Sequence, residues 1–298
     1  MIQIPLIKQI VYRPTMIIYL FACLAAPHFK PYGLNMDKRI RKPAVAGMFY
    51  PDNPAELTNM VQGFLDKAES RDGPVPKALI APHAGYIYSG PIAASAYIHL
   101  IPAKFTINRV VLLGPSHRVP LHGLAASSAT HFETPLGLVP IDTQAITKIC
   151  QLPQVSINDE AHALEHSLEV HIPFLQHILD DFSLVPLVVG QCSPEAVHQV
   201  LAELWGGQDT LVLISSDLSH YHEYSVAQEL DQQTSDAIEH LDYKHIHYEN
   251  ACGRDPVNGL LHFAKQIGLH ARAIDVRNSG DTAGTPDQVV GYGAYLFN

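Results

Sequence analysis

The sequence predicts an α/β protein in which helices flank a mostly parallel central sheet. Hydrophobic residues make up 47% of the chain and charged residues only 16%, so a large core can be buried. Continuous runs of valine, leucine and isoleucine are typical of strands that are covered on both faces. Such runs occupy residues 77–81, 109–113, 184–189 and 210–214. Because helical segments separate these runs, parallel pairing is favoured.

The first third of the chain supplies two of these strands. Residues 41–51 form an extended segment that glycine and proline punctuate. Asn53 then caps a helix that runs to about residue 70, since Pro54 fits a first helical turn. The next elements are a strand, a helix and a strand, at residues 77–81, 90–100 and 109–113.

The rest of the chain contains one irregular region among regular elements. Residues 121–142 are rich in Gly, Ser and Thr, and we expect a small β insertion with a hairpin there. Asn158 or Asp159 caps a longer helix that Pro173 interrupts and that ends near residue 179. The other predicted helices are at 143–150, 194–204, 226–241 and 256–267, and the other strands are at 184–189, 210–214, 271–277 and 289–296.

The first 35 residues differ from the rest, and we treat them as an N-terminal extension of a single α/β domain at 36–298. They contain an apolar run at residues 16–26, which is too short to span a bilayer. This run is either a signal-peptide core or the product of an upstream start codon, with Met36 as the true start. A lipid-modified Cys23 fits less well, because Phe21 suits such a site poorly. We expect a cytoplasmic protein unless this segment directs export.

Composition excludes several functional classes. The formal net charge is −10 and no basic block occurs, so neither nucleic-acid binding nor membrane binding is expected. The four cysteines are far apart and form no CxxC pair, which favours a reducing compartment over a disulfide framework or zinc ribbon. The chain has 18 histidines, nearly as many as its 19 lysines and arginines, which favours metal binding or proton transfer.

Two histidines directly follow buried strands. His83 lies in APHAGYIYSG (residues 81–90), and His117 ends LGPSH (residues 113–117). Loops at strand ends are where α/β proteins place reactive side chains. Two neutral imidazoles brought together in this way form the beginning of a transition-metal site.

Two further segments carry candidate reactive groups. In SSDLSHY (residues 215–221), His220 is a candidate general acid/base that Asp217 orients, although a helix cap with a surface histidine is the alternative. Cys252 precedes a predicted helix and lies beside Arg254, which predicts a lowered thiol pKa and a role as metal ligand or nucleophile. The alternative is a buried, inert cysteine.

The densest polar cluster is at residues 160–173. On a helix, His162, His166 and Glu169 share one face, which is a metal-type spacing, although the segment is not HExxH. Alternatively, Glu165 and Glu169 fix imidazole tautomers beside a cleft. The sequence contains no GxGxxG, GxxxxGK[ST] or GxSxG motif, which disfavours nucleotide binding and an ordinary α/β-hydrolase.

Seven ordered motifs give the chain a specific resemblance, from about residue 42 to its end. They are PAVAGMFYP, APHAGYIYSG, LGPSH, TPLG, EHSLEVHIPF, SSDLSHY and CGR. The chain resembles the Memo family, whose microbial members are called AmmeMemoRadiSam system protein B. The resemblance implies a three-layer fold similar to that of class III, LigB-type extradiol dioxygenases, which bind iron through two histidines and a carboxylate.

The resemblance also implies a ligand set. His83 and His117 match the two histidine ligands, Cys252 takes the third position, and His220 matches the acid/base histidine. Iron or copper is the implied metal, and zinc also suits two imidazoles and a thiolate. From the segments themselves we also expect positions in the cleft, or directly behind its ligands, for His162, His166, Glu169, His171, Tyr86 and Arg254. Replacing carboxylate by thiolate argues against ring-cleaving dioxygenase activity.

Three functions remain open from the sequence. The first is a metal-dependent oxidoreductase of unknown substrate. The second is an inactive binding or scaffold protein that holds a peptide or small ligand near Tyr86, Tyr88 and Tyr221. The family name implies an AMMECR-like partner and a radical-SAM partner. The third, a thiol hydrolase that uses Cys252, lacks an evident oxyanion element.

Overall fold

The computed structural model describes residues 38–69 and 73–298, so the predicted extension at 1–35 lies outside the described residues. Within the described part, no helix is both long and apolar enough to cross a membrane. The strands, in chain order, are β1 (Ile40–Arg41), β2 (Ala78–Ala81), β3 (Arg109–Pro115), β4 (Leu124–Ala126), β5 (His131–Thr134), β6 (Gly137–Pro140), β7 (Val155–Ile157), β8 (Ser183–Val189), β9 (Thr210–Ser215), β10 (Asp217–His222), β11 (Ala271–Asn278) and β12 (Val289–Phe297). The α-helices are α1 (Pro54–Leu65), α2 (Tyr86–Tyr97), α3 (Thr143–Ile149), α4 (Asp159–Ala163), α5 (Ile172–Ile178), α6 (Pro194–Leu204), α7 (Tyr224–Glu239) and α8 (Arg254–Ile267).

Among the described residues, the main sheet has nine strands and is parallel at its centre. The four central strands pair in the order β2-β9-β3-β8, all parallel. Strand β12 pairs antiparallel with β2, β10 and β11, and β4 pairs antiparallel with β8. The predicted α/β class is therefore confirmed. The sheet is mixed: its four central strands are parallel, and β7 at one edge pairs in parallel with β4.

The predicted β insertion is confirmed. Strands β5 and β6 form an antiparallel hairpin, and β1 adds to β5 in parallel, which makes a separate three-stranded sheet. The first strand of the described chain is thereby joined to the insertion, a pairing that the sequence did not predict.

The predicted long helix between residues 158 and 179 is wrong. Helix α4 ends at Ala163, an irregular stretch follows, and a 3-10 turn (Glu169–His171) leads into α5. Pro173 lies in the first turn of α5 and so begins this helix rather than interrupting one. Residues 162, 166 and 169 consequently do not share one helical face.

The main sheet brings three chain segments together at one edge, where its central parallel strands end. Because β2, β3 and β9 are parallel and in register, their carboxyl ends lie together. All residues of β2 and β9 are buried, as expected for strands with helices on both faces. The segments that follow these strands carry His83, His117 and Asp217.

Candidate metal centre

Three histidines from three loops meet at this edge of the sheet. His83 follows β2, His117 follows β3, and His166 lies between α4 and α5. One ring nitrogen from each can be chosen so that all three lie within 4.8 Å of one another. The ring centroids are 5.1 Å apart for His83–His117 and 4.6 Å apart for His117–His166. Such a set of imidazole nitrogens can hold a transition-metal ion.

The His83 ring is held in the tautomer that a metal requires. Its Nδ1 lies 2.6 Å from the Ser215 hydroxyl, which donates its single hydrogen to the Ser167 carbonyl at 2.6 Å. The hydroxyl must therefore accept from Nδ1–H, and Nε2 keeps its lone pair. Burial, followed by the neighbouring His117 and His166, holds the pKa of His83 well below its usual value, so the ring is neutral.

Glu165 fixes the other two histidines. Its carboxylate accepts the Nδ1–H of His117 at 2.9 Å and the backbone N–H of His117 at 2.6 Å. It also accepts the backbone N–H groups of His166 at 3.0 Å and Ser167 at 2.9 Å. Burial raises the pKa of Glu165, but the hydrogen bonds from His117 and Ser167 outweigh burial and lower it to about 2. Carboxylates that hold the far side of a metal-binding imidazole orient the ring and increase its basicity.

His166 packs between its neighbours. Its Nδ1 is 3.4 Å from Glu165 Oε1, and its ring lies 4.8 Å from the ring of Phe49. Burial, with a smaller contribution from His117, lowers the pKa of His166 to about 4. The His83 and His166 imidazoles can therefore each offer a lone pair near neutral pH.

Cys252 touches the cluster from a fourth segment, directly before α8. Its Sγ lies 3.3 Å from His83 Nε2 and 3.7 Å from the Asp217 carbonyl oxygen. Burial, and then the Asp217 carboxylate, raise the pKa of this thiol, so the predicted lowering by the helix and Arg254 is wrong. A methyl group at Gly253 would lie 2.5 Å from the Ser215 carbonyl oxygen, so this glycine permits the close approach of the Cys252 segment to β9.

Asp217 faces His83 rather than His220. One carboxylate oxygen accepts the His83 backbone N–H at 2.8 Å, and the other lies 3.8 Å from His83 Nε2. Burial raises the pKa of Asp217 to about 7, although the His83 backbone N–H partly opposes this. The predicted orientation of His220 by Asp217 is therefore not the arrangement in the fold. Both residues belong to β10 instead of a turn.

The three histidines and Asp217 line one open cleft of about 770 Å³, whereas Cys252 lines a neighbouring cavity. The walls of the cleft include His83, His117, His166, Asp217, His220, Phe49, Tyr88, Tyr221 and Tyr292. Tyr221 has a positive φ of 59° in an irregularly paired part of β10, and it is 71% exposed. Non-glycine residues in this backbone region are uncommon and concentrate at binding sites.

Comparison with known proteins identifies the family. A model of the Memo-like protein family matches residues 41–296. A MEMO1 family protein of Saccharolobus solfataricus is 35% identical over 285 residues, which cover 86% of this chain and 99% of that relative. A MEMO1 family protein of Aquifex aeolicus is 37% identical over 271 residues, which cover 87% of this chain and 99% of that relative. The chain belongs to the Memo-like protein family. The resemblance stated from its motifs is thereby confirmed.

Several predicted cleft residues of this Memo-like protein lie elsewhere. His162 Nε2 donates to the Ala125 carbonyl at 2.9 Å, behind the cluster and against the small sheet. His171 is buried, and its Nδ1 lies 2.7 Å from the Tyr97 hydroxyl. Tyr86 donates its hydroxyl to the Val170 carbonyl at 2.6 Å and packs among aromatic rings of the core. These three residues support the Memo-like fold rather than line the cleft.

Arg254 and Glu169 have other partners. Arg254 lines a separate cavity of about 370 Å³, with Cys252, and its Nε lies 3.6 Å from Asp255. Glu169 is fully buried and accepts hydrogen bonds from the segment that begins the described chain. Ser215 and Arg41 were not predicted from the sequence, because their partners lie in distant parts of the chain. The strand-end position of Ser215 was the one signal that pointed to it.

Proposed function

We propose that this Memo-like protein is a metal-dependent redox protein whose metal is held by His83, His117 and His166, with the Cys252 sulfur beside His83. The observation that carries the proposal is the convergence of three imidazole nitrogens within 4.8 Å. Iron or copper is the proposed metal, because both accept imidazole and thiolate donors and both supply one-electron redox chemistry when bound. Zinc fits the same donors but has no redox chemistry.

The donor set fits such an ion. His83 presents a free Nε2, because its Nδ1–H donates to Ser215. His117 likewise presents a free Nε2, because its Nδ1–H donates to Glu165. Because both rings are held from behind, little reorganisation is needed when an ion binds. If the Cys252 sulfur also binds the ion, the donor set is softer than one with a carboxylate, which argues for redox chemistry other than ring cleavage.

Asp217 and His220 are the proposed proton-transfer groups of the cleft. A carboxyl group with a pKa of about 7 can both give and take a proton near neutral pH. Burial lowers the pKa of His220, so its ring is neutral and accepts a proton from a ligand in the cleft. The cleft volume of about 770 Å³ suits a small molecule or the end of a peptide.

Metal analysis tests the proposal. Full-length protein purified without a metal-chelating affinity tag should contain iron or copper by inductively coupled plasma mass spectrometry. The His83→Ala/His117→Ala/His166→Ala variant should lose it, whereas His245→Ala, at an exposed histidine far along the chain, should not. Equal metal content in the triple variant and the wild type would refute the metal centre. Loss of metal in His83→Ala alone, with no oxidant consumption by loaded wild type, would refute the redox role.

A binding or scaffold function is the second candidate, and the aromatic lining of the cleft favours it. Phe49, Tyr88, Tyr221 and Tyr292 surround the histidines, and rings of this type bind ligands at a low entropic cost. Under this proposal the protein works with an AMMECR-like partner and a radical-SAM partner. Co-purification of either partner with Cys252→Ala protein, together with no turnover by any metal form, would favour the scaffold.

A cytoplasmic location completes the proposal. Cys150, Cys192 and Cys252, the cysteines of the described part, are all free thiols. Free thiols persist in a reducing compartment. Fractionation of cells that express the full chain, with a thiol-labelling assay of the three cysteines, tests this.

A further inference from the structure

A buried arginine lies behind the loop that carries two of the histidines. Arg41, in β1, is 8% exposed, and its guanidinium donates to three acceptors in one segment. These are the Glu169 carboxylate, the His162 carbonyl at 3.0 Å and the Glu165 carbonyl at 2.5 Å. Arginine suits this task because its planar fork carries several N–H donors in fixed directions.

Glu169 receives four donors from the same part of the chain. Besides Arg41, it accepts the backbone N–H groups of Ala44 at 2.7 Å and Val45 at 3.0 Å, and the Tyr50 hydroxyl at 2.5 Å. Glu169 is 0% exposed, so each of its lone pairs must find a partner within the protein. The negative charge of Glu169 is therefore balanced by the Arg41 guanidinium and by three further hydrogen-bond donors.

The segment that these contacts hold has little regular structure of its own. Helix α4 ends at Ala163 and the next turn begins at Glu169, so the carbonyls between them have few helical partners. Arg41 satisfies two carbonyls at the start of this stretch, and Glu169 anchors its end. From the same side, Phe49 packs against the His166 ring at 4.8 Å.

We infer that Arg41 and Glu169 are positioning residues of the metal centre, because they clamp both ends of the segment from which Glu165 and His166 project. The inference rests on the proposed function. Glu165 holds the ring and backbone of His117 and the backbone N–H of His166, so a shift of its own backbone moves both histidines together. Arg41 thus acts on the metal indirectly, because it contacts the Glu165 backbone and the Glu165 carboxylate contacts the ligands. Arg41 itself touches no ligand.

A purely structural ion pair is the competing explanation, and the variants are chosen to separate the two. Replacing both partners, as Arg41→Met with Glu169→Leu, removes the charges together, so no unpaired charge stays buried. Urea unfolding measures the cost of the backbone groups that lose their partners. The probe is Co²⁺ alone, titrated into full-length protein and followed by its visible absorption, which reports the number and geometry of its ligands. Arg109→Met, which removes a remote ion pair with Asp142, is the matched control.

We expect the double variant to remain folded by circular dichroism, to bind Co²⁺ roughly 10- to 100-fold more weakly and to show an altered absorption spectrum. Arg109→Met should match the wild type in both. Arg41→Lys, which keeps the charge without the fork, should recover only part of the affinity. An unchanged affinity and spectrum in a folded double variant would overturn the inference while leaving the metal centre intact.

Two other outcomes are informative. If wild type fails to bind Co²⁺, the metal centre and the inference both fall. If the double variant unfolds, the Tyr50→Phe variant tests the inference instead, because it removes one hydrogen-bond donor to Glu169 and keeps the aromatic ring. A folded Tyr50→Phe protein should bind Co²⁺ about threefold more weakly, which corresponds to about 0.7 kcal/mol of binding free energy. No change in that variant would count against the clamp.

Discussion

Glu165 holds His117 at two points at once. One carboxylate oxygen lies 2.9 Å from His117 Nδ1, and the other lies 2.6 Å from the His117 backbone nitrogen. The ring and the main chain of this histidine are therefore fixed by a single buried side chain. Because the same carboxylate also accepts the His166 backbone N–H, one residue couples two histidines from different loops.

Replacing Glu165 with Gln should weaken metal binding about 10- to 100-fold. The amide has one oxygen in place of two, and its NH₂ group would face donors that it cannot satisfy. Calorimetric titration with Fe²⁺ under anaerobic conditions measures the effect. Glu160→Gln, at an exposed position in α4, is the matched control. Equal affinity in both variants would show that Glu165 does not support the ligands.

Ser215→Ala should lower metal affinity through His83. The buried Nδ1–H of His83 would lose its acceptor, and an unsatisfied buried donor costs about 1–3 kcal/mol. The ring can avoid that cost by moving its proton to Nε2, which then cannot bind the metal. Titration with Co²⁺ should show weaker binding, and Ser225→Ala, on the exposed start of α7, should not. A gain in affinity in Ser215→Ala would contradict the tautomer argument.

Proton release can decide whether Cys252 is a ligand. The thiol has a raised pKa, so it is protonated at pH 8.5 and must lose its proton to bind a metal through sulfur. Asp217 is already ionised at that pH, since its pKa is about 7. We expect about one proton per metal ion, measured by calorimetry in buffers of different ionisation enthalpy.

The Cys252→Ala variant should release none, whereas Cys192→Ala should behave as the wild type. Cys192 is a suitable control because its thiol pKa is also raised, to about 11. Undiminished release in Cys252→Ala would assign the proton to another group and would remove sulfur from the ligand set.

The central strands and two of the histidines were predictable because their signals are local. A continuous apolar run followed by a proline and a histidine reports burial and a strand end within a few residues, as at His83 and His117. The hairpin at residues 131–140 was predictable for the same reason. In each case neighbouring residues in the chain contain the information.

The broken helix at residues 158–179 and the raised pKa of Cys252 were not predictable, because they depend on contacts between distant segments. The spacing of His162, His166 and Glu169 fits a helix, but the fold breaks it. Arg41 donates to the His162 carbonyl, and the Glu165 carboxylate accepts the backbone N–H groups of the next two residues, so these hydrogen bonds compete with helical ones. The burial that raises the Cys252 pKa comes from the packing of its segment against β9 and β10, which no local pattern reveals. Tertiary contacts here override the local preference.

Acid should destabilise the protein between pH 6.5 and pH 4.5. Burial holds the pKa of His83 well below its usual value, and lowers that of His162 and His166 to about 4 and that of His171 to about 3. In the unfolded chain these four groups take up protons below about pH 6.5, so the unfolded state binds more protons and stability falls as the pH falls. Asp217 and Asp231 oppose this, because burial raises their pKa to about 7 and about 6, and in this range they hold protons when folded.

His177, His198 and His220 likewise have lowered pKa values and Asp255 has a raised one, so more histidines than aspartates are shifted and unfolding takes up protons near pH 5. The free energy of unfolding should therefore rise with pH in this range, with a positive slope. Urea unfolding of metal-stripped protein at several pH values between 4.5 and 6.5 measures this slope. His245→Ala should leave the slope unchanged, because that histidine is exposed. A flat profile, or greater stability at pH 4.5 than at pH 6.5, would mean that the buried aspartates dominate and that the histidine cluster is not held neutral by the fold.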